Sequence, residues 1–201
     1  NAANYNLKLE NGVLTLNNAT IKYAPVSDYH NGAVSADGTL TIELAAGTVN
    51  TITNTSSNSG ISAWNCGIYV NKGPLTITGS GSLTATGGGG QSSHGISVDY
   101  GTLIVDGAAV TANGGNAAGS SGIYTGKNME MKNGANVTAV GGTTSGGASR
   151  GIECSGSITI TNSSGSASGK SVAMTKSPTM NGAVITSGSY NTTSVKWAAG
   201  N

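Results

Sequence analysis

Few side chains in this sequence could do chemistry. Of 201 residues, eight are Asp or Glu, nine are Lys or Arg and two are His. A nucleophilic Ser or Cys needs a positioned base, and the only imidazoles are His30 and His94. His94 ends the turn Gln91-Ser92-Ser93-His94, directly before Gly95. No Ser sits in a Gly-x-Ser-x-Gly elbow between a strand and a helix. A calcium-assisted lyase would cluster carboxylates, whereas Asp28, Asp37, Asp99 and Asp106 are scattered and Arg150 is the only arginine. The spacing specifies no metal ligand set and requires no cofactor, although a single structural calcium ion is compatible with it.

Composition narrows the choice. The chain has 33 Gly, no Phe, 8% charged residues and a formal net charge of +1. A typical domain is about 25% charged and about 7% Gly. A near-neutral balance points away from nucleic acid and anionic membranes. No apolar run approaches the roughly 18 residues of a membrane span. Glycine follows no three-residue period, which excludes collagen. Such a chain is either disordered or buries small residues in a very regular architecture.

A repeat decides between these. Thr84-Ala85-Thr86-Gly87-Gly88, Thr111-Ala112-Asn113-Gly114-Gly115 and Thr138-Ala139-Val140-Gly141-Gly142 follow one another every 27 residues, echoed by Ser166-Ala167-Ser168-Gly169. A second marker, Gly-Ile, falls at Gly67, Gly95, Gly122 and Gly151, spaced 28, 27 and 29 residues apart. Within a repeat, Ile68/Val70, Leu75/Ile77 and Leu83/Ala85 alternate with polar residues, the period-two signature of strands. Gly, Pro, Asn and Lys separate these segments, as turns require. No sustained 3.6-residue period is present.

The sequence therefore predicts an all-β fold: a right-handed parallel β-helix with three short strands per coil and essentially no helix. Coil starts near residues 7, 33, 68, 96, 123, 152 and 172 give about seven coils in one domain. The Leu7/Leu9 segment would start the first coil. Residues 33–65 form a long-loop coil with an insertion at 53–65. Residues 171–201, with Val172, Met180 and Val184 as a degraded copy, form an irregular C-terminal cap, over which Trp197 closes the last sheet edge. Coils stack about 4.8 Å apart, so equivalent residues form inward columns. These are Ile68, Ile96, Ile123, Ile152; Leu75, Leu103, Met129, Ile158; and Leu83, Val110, Val137, Ala167, with Ala85, Ala112 and Ala139 one pleat on. Cys66 and Cys154 are both expected to turn inward as free thiols. They lie about three coils, roughly 14 Å, apart, beyond the roughly 7 Å limit for a disulfide.

The same geometry sorts the outward residues. On the second strand, Asp106 and Glu130 are diagonal neighbours whose carboxyls fall about 6–9 Å apart, the inverting-glycosidase range. Lys132 lies directly beside Asp106, so a surface ion pair competes with that weak catalytic alternative. On the third strand Thr84, Thr111 and Thr138 form a column that could suit ice. Asn113, Val140 and Ser168 break the second column, and β-propensity alone explains the threonines. On the first strand the outward column is Tyr69, Ser97, Tyr124, Glu153. The preceding turn offers Trp64, then His94, Ser121 and Arg150 directly before Gly95, Gly122 and Gly151, with Lys170 as their expected counterpart in the last turn, and the following turn offers Asp99-Tyr100 and Lys127. Trp64, Tyr69, His94, Asp99, Tyr100, Tyr124 and Arg150 thus gather on one edge. Aromatic rings beside polar and charged groups suit the apolar faces and hydroxyl rims of sugars. Tyr69 and Tyr124 could equally be stabilising ladder members flanking Ser97.

The pattern Gly-Ile-Tyr…Leu-Thr-Ile-Thr-Gly-Ser-Gly-Ser-Leu-Thr-Ala-Thr-Gly-Gly over residues 67–88, with copies to Gly169, resembles bacterial surface β-helix proteins of the carbohydrate-binding-domain type, which are fold-related to polysaccharide lyases. The resemblance implies a secreted or surface-displayed, calcium-tolerant, non-catalytic polysaccharide binder. It transfers no site residue, because the matching positions shape the coil. No secretory leader is read at Asn1. The expected protein is a monomeric glycan binder with no nucleic-acid or membrane partner. A structural or adhesive stalk is the first alternative, and a lyase or glycosidase the second.

Overall fold

A computed structural model describes residues 5–25, 29–58, 60 and 63–200. Asp28 and parts of the expected insertion at 53–65 lie outside these residues. The chain enters through β1 (Leu7–Glu10), β2 (Val13–Leu16) and β3 (Thr20–Tyr23). Five complete three-strand turns follow. They are β4 (Asn31–Ala36), β5 (Leu40–Leu44), β6 (Val49–Asn54); β7 (Asn65–Val70), β8 (Leu75–Thr78), β9 (Ser82–Thr86); β10 (Gly90–Val98), β11 (Leu103–Asp106), β12 (Ala109–Asn113); β13 (Ala117–Thr125), β14 (Met129–Lys132), β15 (Asn136–Val140); and β16 (Ser149–Cys154), β17 (Ile158–Thr161), β18 (Ser164–Ser168). The chain ends in β19 (Val172–Met174), β20 (Pro178–Asn181), β21 (Ala183–Gly188) and β22 (Ser194–Ala199).

These strands form three sheets that run the length of a right-handed parallel β-helix. The first sheet is β4-β7-β10-β13-β16-β19, the second runs from β1 and β2 through β5 to β20, and the third from β3 through β18 to β22 and β21. No helix occurs among the described residues, so none is long and apolar enough to cross a membrane.

Five complete turns replace the seven coils expected, because both ends reverse direction. Asn11 and Gly12 each take positive φ, 51° and 79°, the two-residue hairpin turn that Asn-Gly favours. β1 therefore folds back antiparallel on β2 instead of starting a coil. At the other end β19 and β20 continue the parallel stack. β21 and β22 then form an antiparallel hairpin, and β22 pairs antiparallel with β18. Trp197 on β22 is buried over the last turn, as expected of a cap residue.

The inward columns hold in register. Ile68, Ile96, Ile123 and Ile152 stack on the first sheet, and Leu75, Leu103, Met129 and Ile158 on the second. On the third sheet Leu83, Val110 and Val137 align, but Val137 faces Gly165, and Ala167 instead extends the alanine column. A Cβ on Gly165 would come within 2.6 Å of the Trp197 ring. The indole thus takes the place of the missing side chain.

The Gly-Ile marker has a steric cause. A Cβ on Gly95 would lie 2.6 Å from the backbone nitrogen of Asn113, and one on Gly122 would lie 2.5 Å from that of Val140. Each glycine presses against the end of the third-sheet strand of its own turn and closes the coil there. Corners after the second sheet take left-handed backbone at Gly79, Gly107, Asn133 and Asn162, with φ of 96°, 70°, 56° and 45°. Gly and Asn tolerate that region best.

A buried polar ladder runs beside the core. Asn65, Ser93, Ser120 and Ser149 are each at most 1% exposed. The Ser93 hydroxyl accepts from Gly115 N–H at 2.8 Å, and that of Ser120 accepts from Gly142 N–H at 3.1 Å. These bonds satisfy backbone groups that the tight Gly-Gly turns would leave orphaned.

Gly95→Ala should cost about 3 kcal/mol or prevent folding, since a packed backbone has to move. Gly146→Ala, where a Cβ would meet nothing within 4 Å, should stay within about 0.5 kcal/mol of the parent. Urea unfolding followed by circular dichroism compares them, and equal stabilities would refute the corner account.

Candidate functional site

The outer face of the first sheet carries three columns that differ from turn to turn. Ser35, Tyr69, Ser97, Tyr124 and Glu153 align in register on β4, β7, β10, β13 and β16. Across the glycine corner, His94, Ser121, Arg150 and Val172 align. Val172, two residues further along, takes the place the spacing assigned to Lys170. Further out, Trp64 bridges to Ser92, which aligns with Gly119.

The rings in these columns form one cluster. The His30 and Trp64 rings stack with centroids 4.3 Å apart and planes 14° from parallel. Trp64 meets His94 at 4.9 Å and Tyr124 at 5.0 Å, both edge to face. His94 lies 5.3 Å from Tyr124. His30 also meets Tyr69 edge to face at 5.5 Å. Offset and edge-to-face contacts of this kind are worth about 0.5–1.5 kcal/mol each beyond area burial.

Two hollows flank the Trp64–Tyr124 pair. The smaller, about 140 Å³, is lined by Ser92, His94, Gly119, Ser120, Arg150 and Glu153 as well as that pair. The larger, about 380 Å³, adds His30, Asp99, Tyr100 and Lys127. A third of about 200 Å³ continues past His30 to Tyr69, Asp37 and Asn71. Shared walls make these one groove over several coils.

Its charged groups hold one another. Arg150 Nη1 donates to Glu153 Oε2 at 3.1 Å, and the Ser121 hydroxyl donates to the same oxygen at 2.7 Å. Asp99 Oδ2 accepts from the Tyr69 hydroxyl at 3.0 Å and lies 3.2 Å from His30 Nδ1. Ser97 Oγ donates to the other Asp99 oxygen at 3.3 Å.

Burial shapes the titrating groups. His94 is 5% exposed, and burial, with smaller contributions from the neighbouring His30 and Arg150, pulls its pKa down to about 3. The ring is therefore a neutral imidazole in the folded protein. Burial and the Asp99 charge push the Tyr69 phenol up, and Tyr124 shifts the same way, chiefly through burial.

Both cysteines are free and buried. Cys154 sits in the inner core, its thiol 3.2 Å from the Lys127 carbonyl. Cys66 does not turn into the inner stack. It takes the position of His94 one turn earlier and is fully buried outside the inner core cluster. Burial and the charge of Asp99 push its thiol pKa up, against a hydrogen bond with Ser97.

Trp64, Tyr69, His94, Asp99, Tyr100, Tyr124 and Arg150 all meet along this groove. Asp106 and Glu130 lie on the second sheet, on another side of the β-helix. Asp106 is bound there by Asn133 at 2.7 Å and by Lys132 at 3.7 Å. Among the described residues no group of three or more His, Cys, Asp or Glu is placed to hold a metal ion.

The spacing alone does not find His30 or the Glu153–Arg150 pair. The signal for His30 was the match of His30-Asn31 to Trp64-Asn65. Asn31 and Asn65 pair in register, which puts His30 one turn before Trp64. Starting that coil at Ala33 hides the match.

The sign of the His94 shift fixes a pH dependence. An unfolded histidine binds a proton near pH 6.5, while the folded one resists until about 3. The unfolded state therefore binds more protons across that window, and stability falls as pH drops from 6.5 toward 3. Urea unfolding at pH 7 and pH 4 should show the parent losing about 2–3 kcal/mol more than His94→Phe. Equal losses would mean that His94 is not a buried neutral group.

No protein family, curated protein or solved structure matches the chain. Of the resemblance carried by residues 67–88, the parallel β-helix is what stands.

Proposed function

We propose that this chain is a secreted or surface-displayed protein of bacterial type that binds a glycan without cleaving it. The observation that carries this reading is the groove on the first sheet, where Trp64, Tyr124 and Tyr100 line hollows edged by paired polar groups. Aromatic rings cover the apolar faces of sugars, while carboxylates, hydroxyls and guanidinium meet their hydroxyls. Tyr100, 69% exposed, supplies ring surface still open to solvent. The internal pairing of Arg150 with Glu153, and of Asp99 with His30 and Tyr69, favours holding a ligand over attacking one. The Ser-, Thr-, Asn- and Gly-rich composition supports an extracellular setting.

A glycan array on the purified chain tests the reading. Binding should appear to at least one polysaccharide, with no release of reducing ends. Trp64→Ala and Tyr124→Ala should each weaken it at least tenfold, about 1.4 kcal/mol. Absence of binding across the array would favour a structural stalk. Release of products would revive an enzyme.

A further inference from the structure

The small hollow over His94 defines the ligand more closely. Both ring nitrogens of His94 are buried and have no hydrogen-bond partner within the protein. A neutral imidazole carries one donor and one acceptor. Leaving a buried polar atom unpaired is costly, so this residue is poised for an incoming partner that can both donate and accept. The hollow's volume, about 140 Å³, is close to the roughly 150 Å³ of a cavity that holds one benzene ring. Trp64 and Tyr124 wall it, and Arg150 and Glu153 also line it.

The charges select against an anionic occupant. Arg150 is already bound to Glu153, whose Oε2 is also held by Ser121. A carboxylate reaching the guanidinium's other N–H groups would lie beside the Glu153 charge. The larger hollow is lined by one Lys, Lys127, and one carboxylate, Asp99, the latter held by Tyr69 and Ser97. Across the two hollows, two acids face two bases.

We propose that the ligand is an uncharged polysaccharide, one six-membered ring of which sits over His94 between Trp64 and Tyr124. As the Trp64 and Tyr124 rings packed on His94 part, ring hydroxyls pair with its buried nitrogens, and the chain continues past the Trp64–Tyr124 pair into the larger hollow. This rests on the glycan-binding reading above and adds the charge class and the seat of one ring.

Calorimetric titration with neutral oligosaccharides (β-glucan, mannan and xylan fragments) and uronate oligosaccharides (polygalacturonate and alginate fragments) tests it. The expected result is binding to a neutral member, less than twofold weakened between 50 and 500 mM NaCl (chosen to span the regime where charge contacts are screened, about 14 to about 4 Å Debye length). His94→Phe, which keeps an aromatic ring but removes both nitrogens, should weaken binding at least tenfold. Should that variant fail to fold, the parent still decides. Its two histidines give few imidazole signals in nitrogen-detected NMR, and those of His94 should shift on saturation. Preference for uronates, steep salt dependence, or His94 signals unmoved by a bound neutral glycan would overturn this inference while leaving glycan binding intact. Binding to neither class would overturn both.

Discussion

The structure depends on one constraint, the backbone hydrogen bonding of each coil to the next. It fixes a separation of about 4.8 Å between equivalent residues. Every position therefore becomes a column, and each column has to tolerate its own repetition. Ile over Ile and Leu over Leu satisfy this by packing. The glycine corners satisfy it by leaving no side chain where strands of one turn converge. The Asn65–Ser93–Ser120–Ser149 ladder satisfies it by bonding the backbone of tight turns. A core this narrow has no room for stacked Phe. Where one large ring is needed, at the C-terminal end, Trp197 enters opposite a glycine.

The outer face obeys the same spacing with a different result. Nothing outside forces a column to be uniform, so rings and charges can alternate with small residues. Tyr69 and Tyr124 flank Ser97, and that gap leaves room for the Tyr69 hydroxyl to reach Asp99. Trp64 precedes Ser92 and Gly119 in its column, so the indole leans over the next turns and meets His94 and Tyr124. The groove is thus a consequence of large residues followed by small ones along the stacking direction.

The legibility of the sequence followed from how repetitive each part is. Two markers near a 27-residue period were enough for the fold, the columns and the face on which the aromatics meet. The ends were not legible, because hairpin reversal is decided locally. Leu7 and Leu9 alternate like a coil strand, and only the Asn11-Gly12 turn separates a hairpin from a coil. The position of Ala167 was missed because a glycine in a core column leaves no apolar signal, and its filler, Trp197, comes from a distant strand. Cys66 was misplaced because the alternation shifts at the glycine corner, so a residue before it faces outward although a simple count turns it inward. His30 was hidden by the longer turn between it and Trp64, which breaks the period just where the site gains a member.

That last coincidence has a physical reason. A face with identical columns offers the same surface at every turn, and a ligand on it could slide by one coil without loss. The threonines at Thr51, Thr84, Thr111 and Thr138 make such a surface on the third sheet. Fixing a ligand in one place requires groups that occur once. His30, Trp64, His94, Arg150 and Glu153 each occupy a column position that their neighbours fill with something else. The groove therefore lies where the repeat departs from itself, and the regular coils above and below hold those departures at fixed distances.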